Sequence, residues 1–91
     1  MTSPAPLFAR AVSLHEAEIG EDIVALDPAG GDCFGFNAVA ASVWRLIEQP
    51  RSQDAIEAAL VEEYDVAPEQ CRAEVGELLT DLQSRGLVRR A

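Results

Sequence analysis

The sequence predicts an α+β domain, a three-stranded antiparallel sheet followed by three helices. Three observations carry that expectation. Up to Phe36 the chain consists of short apolar runs broken by turns containing Gly or Pro, the punctuation of a sheet. After Asn37, apolar residues recur every three or four positions in three successive segments, as amphipathic helices require. Between them lies Gly30-Gly31-Asp32-Cys33-Phe34-Gly35-Phe36-Asn37, in which a tight turn, a short strand and a helix cap follow one another with almost no loop. The chain has 91 residues, enough for one domain with one modest core.

Residues 1–6, with Pro4 and Pro6, are expected to form a flexible N-terminal arm, and residues 7–91 a single domain. Leu7 to His15 reads as the first strand, with Phe8, Val12 and Leu14 on one parity and Arg10 as an exception. Glu16 to Glu21 reads as an acidic turn around Gly20. Asp22 to Leu26 contains the unbroken apolar run Ile23-Val24-Ala25-Leu26, which suits a central strand covered on both sides. In Asp27-Pro28-Ala29-Gly30-Gly31, Pro fixes φ and Gly accepts positive φ, so a turn follows. Asp32 to Phe36 closes the sheet as its third strand.

The first helix, Ala38 to Ile47, is capped by Asn37 and directs Val39, Val43, Trp44 and Ile47 toward one broad face. Pro50 ends it. Ser52 caps the second helix, with Asp54 in its first turn, and Ala55, Ile56, Ala59, Leu60 and Tyr64 form its inner stripe. Pro68 opens the third helix, where a missing N–H is tolerated, and Ala67 before it is a poor cap. Cys71, Val75, Leu78, Leu79 and Leu82 form the third stripe, Gly86 stops the helix, and Leu87 and Val88 return to the core.

Composition excludes several classes of function. The net charge is −9, and all seven basic residues are Arg. Such a chain is repelled by phosphate backbones and anionic membranes; its acidity either serves solubility or suits a soluble partner with basic segments. No apolar run approaches the roughly 20 residues of a membrane span. Residues 1–6 lack the basic start and apolar core of a signal peptide, so a cytoplasmic protein is expected. Cys33 and Cys71 have no Cys-x-x-Cys pairing and read as free thiols of a reducing compartment. One His and two Cys fall short of the roughly four ligands of a zinc site, so no metal is expected. Gly30-Gly31 opens a strand and not a helix, unlike a phosphate-cradling loop, and no cofactor is expected.

Catalysis has little to stand on. A cysteine nucleophile needs a base within reach, and His15 is the only histidine. The carboxylates Glu57, Glu62, Glu63, Glu69, Glu74 and Glu77 are spread along helices as a solvated face would be. The predicted order of elements is winged helix-turn-helix-like, yet the outward positions of the third helix carry Glu69, Glu74, Glu77 and Asp81 against Arg72 and Arg85. A helix entering a DNA groove needs the opposite balance. Neither an enzyme nor a nucleic-acid binder is expected.

Three segments in order, Ala25-Leu26-Asp27 through Gly31, Phe36-Asn37 and Trp44, then Ser52 through Ile56, Leu60, Tyr64-Asp65-Val66 and Pro68, then Val75 through Leu79, Leu82 and Gly86-Leu87-Val88, resemble the PqqD-like family. These are recognition elements for ribosomally made, post-translationally modified peptides. The resemblance extends from about Leu7 to Val88. Phe36 stands where Leu is usual, Ala40 where Gly is usual, and Ala67 where a polar cap is common. The resemblance implies a small winged-helix-like domain that binds the leader of a precursor peptide and presents it to a modifying enzyme. It looks most like the discrete recognition proteins of lasso-peptide clusters, whose partner is a leader-removing cysteine protease. A radical-SAM partner is the competing reading within the family, and an interaction domain without strand addition is the reading outside it.

A short edge strand would take an extended leader as a further strand, with main-chain bonds giving affinity and alternate side chains giving specificity. Asp32, Cys33, Phe34, Gly35 and Phe36 are the candidate edge. Asp32 is its only charge, Cys33 and Gly35 are the better contacts, and Phe34 and Phe36 lean toward the core. Arg72, Val75, Gly76 and Leu79 of the third helix are the candidate wall. Gly76 either admits a ligand side chain or lets its helix pack closely. An exposed edge also permits a strand-swapped dimer.

Overall fold

The structure, a computed structural model, describes residues 5–91; residues 1–4 of the expected arm lie outside them. In chain order the elements are β1 (Leu7–Arg10), β2 (His15–Ile19), β3 (Asp22–Leu26), β4 (Cys33–Phe36), α1 (Ala38–Leu46), β5 (Arg51–Ser52), α2 (Gln53–Glu63), α3 (Pro68–Ser84) and β6 (Val88–Arg90). This is the expected α+β, winged helix-turn-helix-like domain, but its strands form two antiparallel sheets and not one. The sheet before the helices has the order β2-β3-β4, and a second has the order β5-β1-β6.

Two expectations change for physical reasons. Leu7–His15 is not one strand. It breaks after Arg10, and Val12 and Leu14 pack on the core from an irregular segment, so they share the parity of Phe8 without sharing its strand. Glu16–Glu21 is not a turn either. His15–Ile19 pairs along its whole length with β3, from His15 opposite Leu26 to Ile19 opposite Asp22. All five residues of β2 are exposed, so no buried alternation marks the strand in the sequence. The hairpin turns through Gly20-Glu21, with Gly20 at φ +63 and no other positive φ there, as a type II′ connection requires.

Strand β3 buries Ile23 and Ala25 and exposes Val24 and Leu26. It is central, as expected, but covered on one face only. Its outer face, shared with Ile19, stays open. The turn into β4 is fixed by Gly31 at φ +76 and by Asp27, whose side chain accepts from the Ala29 N–H at 2.9 Å.

The helices begin where the caps predict. Asn37 accepts from the Ala40 N–H at 3.0 Å and Ser52 from the Ala55 N–H at 3.1 Å; Ala67 makes no side-chain cap before Pro68. At the end of α3, Gly86 takes φ +74. Its N–H donates to the Gln83 carbonyl and that of Leu87 to the Leu82 carbonyl, both at 3.0 Å. That pair of bonds is a Schellman motif. It turns the chain back so that Leu87 and Val88 are buried and β6 pairs with β1.

Trp44 ties the two sheets to the helices. It is fully buried and stacks on Phe36 at 5.2 Å between ring centroids. A buried indole N–H needs a partner, and Glu16 Oε2 of β2 accepts from it at 2.9 Å. Arg10 of β1 donates to the Trp44 carbonyl at 2.7 and 3.0 Å and lies 4.6 Å over its ring. That carbonyl is in the last turn of α1, where no intrahelical donor remains. Arg10 and Glu16, which fit no pattern in the sequence, are thus the polar partners of the largest core side chain. Among the described residues, no helix is long and apolar enough to cross a membrane.

Candidate peptide-binding site

Among the described residues, strand β4 is an edge, hydrogen-bonded to β3 alone. In an antiparallel ladder successive residues direct their backbone groups to opposite sides. The Asp27 N–H donates to the Asp32 carbonyl at 2.8 Å, which sets the phase. Asp32, Phe34 and Phe36 therefore turn their N–H and C=O groups toward β3 and the preceding turn, whereas Cys33 and Gly35 turn theirs toward the free edge. Pairing of Phe34 with Ala25 and Phe36 with Ile23 agrees with this phase. Both Cys33 and Gly35 are exposed, and a Cβ built on Gly35 would meet nothing within 4 Å. The edge is open and carries no bulge or Lys to blunt it.

A cleft of about 280 Å³ runs along this edge. Cys33, Phe34, Gly35 and Phe36 form one side, with Asn37 and Ala40 at the entry to α1. The opposite side is the C-terminal half of α3, namely Leu78, Asp81, Leu82 and Arg85, followed by Leu87. Phe34 and Leu78 are half-buried, while Phe36, Leu82 and Leu87 belong to the buried core. Asp81 and Arg85 pair at 3.1 Å at the rim, each about half exposed. The cleft thus offers an apolar floor, one rim of charges and a row of unpaired backbone groups.

Of the residues anticipated from the sequence, Cys33, Phe34, Gly35 and Phe36 line this cleft, and Asp32 adjoins it in the turn. The four anticipated on α3 do not. Val75 and Leu79 are 1% and 2% exposed and lie in the core. Arg72 and Gly76 border a separate groove on the other side of α3, beside Gln53 of α2. Arg72 and Gly76 thus flank the core stripe on the side away from β4. Leu78, Asp81, Leu82 and Arg85, spaced three and four apart, form the strip that meets β4. The sequence carried one signal for this. Leu78 lies beside Leu79 on a helix whose buried stripe is already complete with Cys71, Val75, Leu79 and Leu82.

The thiols do not assemble a nucleophile. His15 and Cys33 lie in one cross-strand row with Leu26 between them, two interstrand spacings or roughly 10 Å apart, beyond proton-transfer reach. Cys71 is buried; its burial, with Glu57 and Glu74 nearby, pushes its thiol up from the ordinary range, the opposite of an activated nucleophile. Among the described residues no group of three or more His, Cys, Asp or Glu converges as metal ligands. A disulfide-exchange reagent at neutral pH is expected to titrate one fast thiol in the folded protein and two after denaturation. Cys33→Ser should remove the fast phase, and Cys71→Ser should leave it in place.

Residues 22–88 match the family described as coenzyme PQQ synthesis protein D (PqqD). No curated protein matches the chain in sequence. A solved structure described as TbiB1 in complex with the TbiA(beta) leader peptide is 25% identical, with a TM-score of 0.77 over 89% of this chain and 94% of that one. Another, lasso peptide synthetase B1 complexed with the leader peptide, is 22% identical, with a TM-score of 0.75 over 90% of this chain and 96% of that one; at that identity the likeness is one of fold. The family match spans β3, β4 and all three helices, the elements that build the cleft, and on that ground the chain belongs to the PqqD family.

Proposed function

We propose that this domain binds the leader segment of a ribosomally made precursor peptide as an added strand on β4, and delivers it to a separate modifying enzyme. The observation that carries this reading is the outward phase of Cys33 and Gly35 on an edge strand that borders an apolar cleft. Main-chain bonds to those two residues supply sequence-independent affinity. Alternate leader side chains reach Phe34, Leu78 and Leu82 and supply selectivity. The complex of TbiB1 with a leader peptide, similar over nine-tenths of this chain, supports the same assignment. The resemblance to the discrete recognition proteins of lasso-peptide clusters, together with the description of one structural relative as lasso peptide synthetase B1, favours a leader-removing cysteine protease as the enzyme served, over a radical-SAM partner.

Delivery follows from tethering. A leader held on the domain raises the local concentration of the attached core peptide at an enzyme bound to the same complex. The domain alone is expected to leave the precursor unchanged, while accelerating cleavage by the partner protease at sub-saturating precursor. A precursor without its leader should gain nothing. Mass spectrometry of the three-component mixture tests this; cleavage by the domain alone, or an equal protease rate without it, would contradict the reading.

A further inference from the structure

Glu57 is the one buried side chain, among the described residues, with an oxygen that has no hydrogen-bond partner. It sits on α2 at 9% exposure. Its Oε1 accepts from Arg72 Nε of α3 at 3.3 Å, while Oε2 has no donor. Buried carboxylate oxygens are ordinarily satisfied, because an unpaired one has lost its water without compensation. Glu57 lines a cavity of about 360 Å³ that also includes Phe8, Gln53 and Arg72. A shallower groove of about 680 Å³ shares those last three residues and continues along α3 past Gly76. A Cβ on Gly76 would meet only the Gln53 amide, at 3.4 Å, so the groove is open there.

Charge adds direction to this site. The two spaces together hold the carboxylates of Asp54, Glu57, Glu77 and Asp81 against the guanidinium groups of Arg72 and Arg90, a net of −2. The whole chain, at −9, attracts cations from a distance. Arg72 bridges Glu57, from Nε at 3.3 Å, and Asp54, from Nη2 at 4.0 Å, with a side chain that is itself 72% exposed, so its displacement by a partner's guanidinium uncovers both carboxylates.

We propose that this groove is a second interaction surface, separate from the β4 cleft, that takes an arginine side chain of a protein partner. Its guanidinium donates to Glu57 Oε2 and to the Asp54 carboxylate beside it. Arginine fits better than lysine here because its planar fork spans two acceptors and its weaker hydration suits a half-buried site. The surface flanks α3 on the side away from β4 and meets the cleft only at Asp81, which borders both, so a partner held at Glu57 and Asp54 leaves β4 free. Its success or failure is independent of leader binding.

The test is an amide-shift titration of the full chain with N-acetyl-arginine methylamide, with N-acetyl-norleucine methylamide as the uncharged control. Saturable shifts at Gln53, Glu57, Arg72 and Gly76, with residues 33–36 unmoved, are expected from the arginine probe alone. Glu57→Gln keeps the shape and removes the charge, and should weaken the response at least fivefold. Ala73→Arg, at an exposed position in the groove, should compete with the probe and do the same without touching the buried carboxylate. No saturable shifts, equal shifts with norleucine, or a response that survives both variants would overturn the proposal and leave a carboxylate satisfied by water only.

Discussion

Gly35→Pro is expected to weaken leader binding by tenfold or more while the domain stays folded. Proline removes one N–H, and on an edge strand it is tolerated when that N–H faces outward. The phase set by the Asp27–Asp32 bond turns the Gly35 N–H to the free edge, and its φ is not positive, so the domain loses no bond of its own. An added strand loses that bond and meets the pyrrolidine ring where its own backbone must approach. One main-chain bond contributes about 0.5–1.5 kcal/mol, and disturbing its neighbours carries the loss past the ~1.4 kcal/mol that makes a factor of ten. Phe34→Pro is the control. Its N–H faces β3, so that variant should lower the melting temperature. Thermal melts and a leader titration on both proteins separate the two effects.

The neighbours Leu78 and Leu79 should behave as opposites when changed to glutamate. Leu79 is 2% exposed in the core. Leu79→Glu removes about 1.5–3 kcal/mol of side-chain burial and adds several kcal/mol for a buried, unpaired carboxylate. Against a typical domain stability of about 5–15 kcal/mol, the expected result is an unfolded chain. Leu78 is half-buried and faces the cleft. Leu78→Glu should keep a cooperative melt and lose leader affinity by about 2 kcal/mol, the scale of a central apolar anchor. Circular dichroism and calorimetric titration check the pair. Two folded variants that both bind normally would count against the assignment of the α3 wall.

How far the sequence reached depended on whether burial left a pattern. The three helices, their caps at Asn37 and Ser52, and the stop at Gly86 were legible because each rests on local chemistry: a side chain that reaches its own first turn, or a residue free to adopt positive φ. Strand β4 was legible for the same reason, framed by Gly31 and Asn37. Strand β2 was not, because an exposed edge strand has no buried face to impose alternation. Strands β5 and β6 were not, because two and three residues held by pairing to β1 carry no period of their own. The cleft was half legible. Its β4 side follows from the strand, but its α3 side depends on which flank of the Cys71–Leu82 stripe turns toward β4. That choice is made by packing α3 against α2, and a helical wheel alone does not contain it.

The central claim is strand addition at β4, and amide hydrogen exchange tests it most directly. In the free domain the Phe34 and Phe36 amides are bonded within the sheet, whereas those of Cys33 and Gly35 face outward. With saturating leader peptide, Cys33 and Gly35 are expected to gain strong protection in alternation, while Phe34 and Phe36 change little. Protection spread evenly over residues 33–36 would contradict the predicted phase. Leader binding that leaves Cys33 and Gly35 exchanging as fast as in the free domain would contradict strand addition itself.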